Sequence, residues 1–143
     1  MELDEIKAEC ARLSMWAHIA TVGRDGKPDV TPVHPCWEGD VMWFLVAENS
    51  VKARNIAANP SVALHWQVTA VGDGVEIWGT AKLFTDTDTK RRLWTGVFDY
   101  DLSAFVPGGP DNSPGTGFIS VEPERALLLK AYGMGGRATW RKS

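Results

Sequence analysis

The chain has 143 residues, of which 44% are hydrophobic and 23% charged, and its formal net charge is −3. This length is enough for one core, so we expect a single domain spanning residues 1–143. The net charge excludes a global basic field for nucleic acid or an anionic membrane. Every apolar run is far shorter than the roughly 18 residues of a membrane span, and residues 1–5 lack a signal-peptide pattern, which predicts a cytoplasmic protein.

The first half of the chain shows one helical pattern followed by strand patterns. Apolar residues recur at helical spacing over residues 3–13, which predicts an amphipathic helix. Apolar, β-prone runs separated by turns predict an antiparallel meander of three strands, at residues 16–22, 29–37 and 41–47. A short helix should follow the third strand, because Asn49 or Ser50 can cap it and Pro60 stops it.

The second half is again mostly strand. The pattern predicts further strands at residues 61–69, 75–84, 117–121 and 125–132. We expect a helix at residues 87–97 and an ordered loop with a packing role at 98–114. The tail, residues 133–141, is rich in glycine and ends in Trp and Arg. Six or seven short strands with few helices predict a mainly β protein, an antiparallel β-barrel.

The start of the short helix after the third strand has the features of an anion site. Its first N–H groups lack partners within the helix and carry the positive end of the helix dipole. Ser50 is the candidate cap, and Lys52 and Arg54 add two cations in the first turn. A capped helix start with nearby cations suits a phosphate, so a phosphorylated cofactor is the first hypothesis. The alternative is an ordinary solvated helix start.

Motifs for other kinds of site are not evident. His18, His34 and His65 lie in predicted strands with no Cys, Asp or His at metal-ligand spacing, so no metal site is expected. Cys10 and Cys36 lie in different elements and are interpreted as small apolar fillers. There is no nucleophile with an evident base, so we assign no catalytic residue. Redox chemistry remains open, because a bound cofactor can carry it.

Several motifs in a fixed order resemble a known family. They are, in chain order, Ile19-Ala20-Thr21-Val22, Asp25-Gly26-x-Pro28, Trp43-Phe44, Ser50-x-Lys52-x-x-Asn55-Ile56-x-x-Asn59-Pro60 and Gly79-x-Ala81. Over about residues 3–141 the chain is similar to the pyridoxamine 5'-phosphate oxidase-like FMN-binding split-barrel superfamily. It resembles most the general-stress-protein branch and the deazaflavin (F420)-dependent reductases. The fold that this resemblance implies is a six- to seven-stranded antiparallel split β-barrel with a few short helices.

The resemblance also implies a cofactor and a partner. The cofactor would be FMN or the deazaflavin coenzyme F420, held at the interface of a homodimer with two sites. The positions that match the family's phosphate contacts, flavin-facing strands and C-terminal Trp and Arg are Thr31, Pro32, Val33, His34, Leu45, Val46, Ser50, Lys52, Arg54, Trp140 and Arg141. The flavin-facing match continues through Pro35 and Cys36, and Trp37 and Trp78 are candidates for stacking on a substrate.

The departures from the family pattern bear on the activity. Thr31 and Cys36 stand where the oxidases carry basic residues, and Val51 stands where they often place an arginine. The resemblance therefore does not extend to oxidation of pyridoxamine 5'-phosphate. It implies an oxidoreductase that transfers a hydride to a planar conjugated small molecule such as a quinone, a tetrapyrrole or an enone. Two alternatives stay open: a non-catalytic stress protein that binds a flavin, deazaflavin or tetrapyrrole, and a structural dimer with a vestigial pocket.

Overall fold

The computed structural model describes residues 1–66 and 69–143. Within these ranges the helices are α1 (Leu3–Leu13), α2 (Val51–Ala58) and α3 (Thr87–Leu93). The strands are β1 (Ala17–Val22), β2 (Pro28–Val33), β3 (Cys36–Glu38), β4 (Val41–Ala47), β5 (Ser61–Trp66), β6 (Gly74–Phe84), β7 (Thr116–Leu129) and β8 (Arg137–Arg141). Short 3₁₀ turns lie at Leu102–Ala104 and Ala131–Gly133. None of the described helices is both long and apolar enough to cross a membrane.

The eight described strands form one antiparallel sheet. Its order is β2-β1-β5-β6-β7-β4-β3, and β8 pairs with β7. One edge of β7 pairs with β6 along its length. The other edge pairs with β4 as far as Val121 and with β8 from Arg125 onward. This arrangement confirms the prediction of a mainly β, antiparallel architecture, and it places β4 and β8 end to end along β7.

Two of the predicted strand boundaries were wrong, and proline explains both. The strand expected at residues 29–37 divides into β2 and β3 around Pro35, which cannot donate a ladder hydrogen bond. The strands expected at 117–121 and 125–132 form one continuous strand, β7, up to Leu129. The register shifts between Trp78 and Gly79, opposite the segment that contains Pro123, so a bulge absorbs the predicted break.

Three other expectations need correction. The strand β8 was not predicted, because a glycine-rich tail with alternating exposed residues carries a weak strand signal. The helix expected at residues 87–97 ends at Leu93, and Gly96 adopts a positive φ of 89°, which continues no right-handed helix. The strand expected at 61–69 is observed as β5 up to Trp66, and residues 67–68 lie outside the described part of the chain.

The core has two parts. The larger part lies between the sheet and α1, whose buried face is Leu3, Ile6 and Cys10. The smaller part is formed by Trp43, Leu93, Leu102 and Phe118, and Phe98 and Tyr100 pack against it. These contacts anchor the loop at residues 98–114 to the sheet, which agrees with the packing role predicted for it.

The helix α2 is fixed to β1 by one side-chain contact. Asn55 Nδ2 donates to Thr21 Oγ1 at 3.0 Å, and the Thr21 side chain is buried. Gly23 lies next to this contact, and a Cβ built there would stand 2.9 Å from Asn55 Oδ1. The buried Ala53 and Ile56 hold the other face of α2 in the core. The sheet therefore determines where the helix start points.

Candidate functional site

The start of α2 is built as the sequence predicts. Ser50 is the N-cap, and its Oγ accepts a hydrogen bond from Ala53 N–H at 3.3 Å. Its hydroxyl hydrogen remains available as a donor, because accepting this bond uses only a lone pair. Lys52 is half-buried and forms no ion pair with any described residue. A free cation beside a capped helix start leaves this position open to an anion.

The Arg54 side chain reaches back to the residue before the cap. Its Nη1 donates to the Asn49 carbonyl oxygen at 3.0 Å. A surface cavity of about 410 Å³ is lined by Arg24, Arg54, Asn55, Ala57 and Ala58. Lys52 is not among the residues that line this cavity. The structure thus brings Arg54 together with Arg24, which the sequence did not single out, in a cavity that Lys52 does not line.

The strand β2 presents an unsatisfied hydroxyl. Thr31 Oγ1 is buried and has no hydrogen-bond partner among the described residues. A buried polar atom without a partner costs free energy, so such an atom is expected to have a partner in the functional state. Pro32 is exposed and supplies no N–H, whereas Val33 is buried in the core. Of this predicted strand, Thr31 thus carries a buried hydroxyl that has no partner among the described residues.

His34 follows β2 and is held by three neighbours. Its Nε2 lies 3.0 Å from Asp99 Oδ1. Its ring centroid lies 5.1 Å from that of Trp16 and 4.9 Å from that of Tyr100. Cys36 Sγ donates to the same Asp99 oxygen at 3.4 Å. Side chains from the residue before β1, from β3 and from the 98–114 loop therefore lie around the His34 imidazole or its Asp99 partner.

The pKa values of two groups beside His34 are shifted. Burial raises the pKa of the Cys36 thiol to about 11, and it raises the pKa of the Tyr100 hydroxyl to about 12. Both groups are therefore protonated at neutral pH. Cys36, Trp37 and Cys10 line a cavity of about 370 Å³. Tyr100 packs on His34, which also lines this cavity.

Trp140 and Arg141 lie on β8, the last strand of the sheet in chain order. On β8, Trp140 is opposite Ala126, and it packs against the main core. On β4, Leu45 is opposite Phe118, which precedes Ala126 on β7 by eight residues. Leu45 and Trp140 therefore lie about 27 Å apart along β7, at 3.4 Å per residue. Arg141 and Trp140 share a cavity of about 180 Å³ with Trp78 and Arg125.

The predicted site residues therefore form three groups within one chain. The first is Thr31, Pro32, Val33 and His34; the second is Leu45, Val46, Ser50, Lys52 and Arg54; the third is Trp140 and Arg141. Trp37 and Trp78, both candidates for stacking on a substrate, line two different cavities. A single chain does not bring all of these positions together.

The family follows from a comparison with known protein families. The sequence profile of the pyridoxamine 5'-phosphate oxidase family matches residues 4–130. The chain belongs to this family. The profile match includes the strands β1 to β7 and the cap of α2, and it ends before β8. The resemblance inferred from the motif order is thereby confirmed.

Several solved structures have the same fold. A protein from Clostridium acetobutylicum related to general stress protein 26 of B. subtilis aligns with a TM-score of 0.76 at 17% identity, covering 96% of this chain and 92% of that chain. An FMN binding protein from Nostoc punctiforme related to pyridoxamine 5'-phosphate oxidase gives 0.70 at 15% identity, with 100% and 97% covered. An F420 reductase gives 0.58 at 26% identity, with 78% and 88% covered. A search of curated proteins finds no match.

These likenesses confirm the split-barrel fold of this family member. Sequence reasoning did not find three residues that the structure places beside the predicted ones: Arg24, Asp99 and Tyr100. Asp99 is 63 residues from Cys36 along the chain, so no local spacing could reveal their contact. One feature of the sequence did point to Asp99 and Tyr100, namely the mixture of aromatic and acidic residues in the 98–114 loop.

Proposed function

We propose that this chain is a flavin- or deazaflavin-dependent oxidoreductase that uses FMN or coenzyme F420. Its substrate would be a planar conjugated small molecule that accepts a hydride. The observation that carries the proposal is the capped start of α2, with a free lysine, in a member of the pyridoxamine 5'-phosphate oxidase family. The FMN binding protein and the F420 reductase that share the fold support the choice of cofactors.

The phosphate of the cofactor would be held at the start of α2. The Ser50 hydroxyl can donate one hydrogen bond without giving up its cap, and Lys52 can add a charge-assisted bond. Both cofactors carry phosphate, so this position does not distinguish FMN from F420. Arg54 and Arg24 would extend the positive surface for further anionic groups of the ligand.

The ring of the cofactor would lie along β2. Thr31 Oγ1 is buried without a partner among the described residues, and a heteroatom of the ring system would satisfy it. Half-buried Leu45 on β4 would supply apolar contact. FMN or F420 supplies the hydride when bound, and this chain would bind it, orient it and exclude water. We assign no protein group as acid or base.

We further propose that the site is completed by a second copy of the chain. Trp140 and Arg141 are far from the start of α2 within one chain, because β4 and β8 lie end to end along β7. In a homodimer the C-terminal strand of one copy can approach the cofactor bound by the other. This arrangement reconciles the matched C-terminal positions with the geometry of the single chain.

The test is the affinity of two lysine variants for FMN and for F420. Lys52→Ala should weaken binding by about 1.5–3 kcal/mol, the range for a hydrogen bond to a charged group. Lys82→Ala is the matched control, because Lys82 lies on β6 over the Phe84 ring, 4.9 Å from its centroid. Equal dissociation constants for the two variants would refute the assignment of the phosphate position.

A second candidate function is a non-catalytic carrier of the same cofactors or of a tetrapyrrole. It requires only the binding position at the start of α2 and no further catalytic group. The likeness to a protein related to general stress protein 26 agrees with it. Turnover separates the two functions. In an oxidoreductase, a quinone or enone reoxidises the bound reduced cofactor faster than it reoxidises the free one. In a carrier, the two rates are equal or the bound cofactor reacts more slowly.

A further inference from the structure

His34, Cys36 and Asp99 form a cluster of three different ligand types. One imidazole nitrogen, one thiol sulfur and one carboxylate oxygen all lie within 4.8 Å of one another. His34 Nε2 and Cys36 Sγ both approach the same atom, Asp99 Oδ1, at 3.0 and 3.4 Å. No ion pair of the described residues gives Asp99 a lysine or arginine partner. The cluster is thus a convergent set of donors without a neutralising cation.

The distances suit a small divalent cation. In a tetrahedral zinc site with bonds of about 2.0–2.3 Å, neighbouring ligand atoms stand about 3.4–3.6 Å apart. The two contacts with Asp99 Oδ1 are close to this value. The third pair, His34 Nε2 and Cys36 Sγ, lies within 4.8 Å, so these two atoms need to approach each other by up to about 1 Å. A rotation of the Cys36 side chain would bring Sγ toward the imidazole, and Asp99 can follow the ion because its side chain is 67% exposed and lies on a loop.

His34 and Cys36 are less exposed than Asp99. His34 is packed between the rings of Trp16 and Tyr100, which determine the direction of Nε2. Cys36 begins β3 and is buried. A packed imidazole, a buried thiol and one exposed carboxylate, with an open fourth position, describe a three-ligand metal site.

We propose that His34, Cys36 and Asp99 bind one zinc ion, with the fourth position open to the cavity that contains Trp37. A sulfur, nitrogen and oxygen set selects zinc over magnesium or calcium, which prefer oxygen ligands. The protons shared with Asp99 occupy the space that the cation takes. When zinc binds, the thiol proton leaves to solvent, and the proton on His34 Nε2 also leaves through solvent, so that the neutral imidazole ligates through Nε2.

The geometry argues against a nucleophilic triad of the same residues. A triad needs the nucleophile to contact the imidazole, which in turn contacts the carboxylate. Here the thiol contacts the carboxylate directly, and the imidazole contacts the same carboxylate oxygen. The local sequence could not show the cluster, because Asp99 comes from the 98–114 loop.

The experiment uses the full chain, freed of metal with EDTA and without flavin or deazaflavin, so its outcome does not depend on the proposed function. Zinc chloride is added in competition with a chromophoric chelator. We expect one equivalent of zinc per chain, and no displacement by magnesium in excess. Cobalt(II) in place of zinc should give a sulfur-to-cobalt charge-transfer band.

Three variants identify the ligands. Cys36→Ser should abolish the charge-transfer band, and Asp99→Asn should weaken zinc binding by at least tenfold, about the lower limit for a residue that supports a metal ligand. Cys10→Ala is the matched control, because Cys10 is a buried thiol that lines the same cavity outside the cluster. The band and the affinity should persist in it.

Two results would overturn the proposal. One is substoichiometric zinc binding by the wild-type chain. The other is a cobalt spectrum without a thiolate band, or one that disappears in Cys10→Ala and survives in Cys36→Ser. If Cys36→Ser does not fold, Asp99→Asn still decides the question, because the exposed Asp99 side chain contributes little to the core. Unchanged zinc affinity in that variant would refute the site.

Discussion

Replacing Ser50 in two ways separates its role in stability from its proposed role in binding. The Ser50 hydroxyl accepts a partly buried hydrogen bond from Ala53 N–H at 3.3 Å. Ser50→Ala should cost about 1 kcal/mol of unfolding free energy, whereas Ser50→Gly should cost only a few tenths, because glycine is also a good cap. For a chain of this length the alanine variant should melt about 3 °C lower.

Cofactor affinity should follow a different order. Both variants lack the hydroxyl, so both should lose the same phosphate contact, about 1.5 kcal/mol or about tenfold in Kd. Urea unfolding of the cofactor-free protein measures the first effect, and fluorescence titration with FMN and F420 measures the second. Equal stability losses in the two variants would refute the capping argument, and unchanged affinity in both would refute the phosphate contact.

Three further predictions concern the scaffold. Asn55→Ala should lower the unfolding free energy by about 1–3 kcal/mol in urea, because it removes the partner of the buried Thr21 hydroxyl. In metal-free protein at pH 8, Cys36 should react with iodoacetamide about 100-fold more slowly than an ordinary thiol, because burial raises the pKa of Cys36 from 9.0 to about 11. Mass spectrometry of the labelled peptide measures this rate. The hydrogen bond from the Ala131 amide N–H lowers the pKa of Asp73 below 3.8. The ionised Asp73 carboxylate therefore stabilises the fold above about pH 4, and this stabilisation is lost as the pH falls through the pKa of Asp73 in the folded protein. The stability difference between wild type and Asp73→Asn, measured by urea unfolding, should shrink in that acid range.

Local sequence signals were sufficient for the elements that they control. The helix α1 has the predicted bounds, because its apolar face and its polar face are both clear in sequence. The strand β4 is also as predicted, and the cap of α2 is formed by Ser50, one of the two candidates. In each case the residues that determine the element lie within it or next to it.

Pairing across the sheet determines the rest. β8 exists because its backbone pairs with the second half of β7, and its own residues give little strand signal. Pro123 looks like a strand break in sequence, but a shift in register with β6 accommodates it. These features depend on a partner strand that is distant in the sequence, so a local pattern could not reveal them.

The site shows the same division. Ser50 and Lys52 were recognisable from their position after a strand, whereas the separation of Trp140 from them follows from the order of strands on β7. The cluster of His34 with Asp99 requires the 98–114 loop to fold over β3. The motif order identified the family, and the three-dimensional arrangement indicates which of its positions a single chain can supply.

Binding of a phosphorylated flavin or deazaflavin is the central claim of this account, and direct titration tests it. Seven tryptophans provide the signal, so quenching of their fluorescence can be followed as cofactor-free protein is titrated separately with FMN and with coenzyme F420. The account predicts submicromolar quenching by at least one of the two, weakened in Lys52→Ala and unchanged in Lys82→Ala. Quenching by neither cofactor would contradict it and would favour a structural dimer with a vestigial pocket.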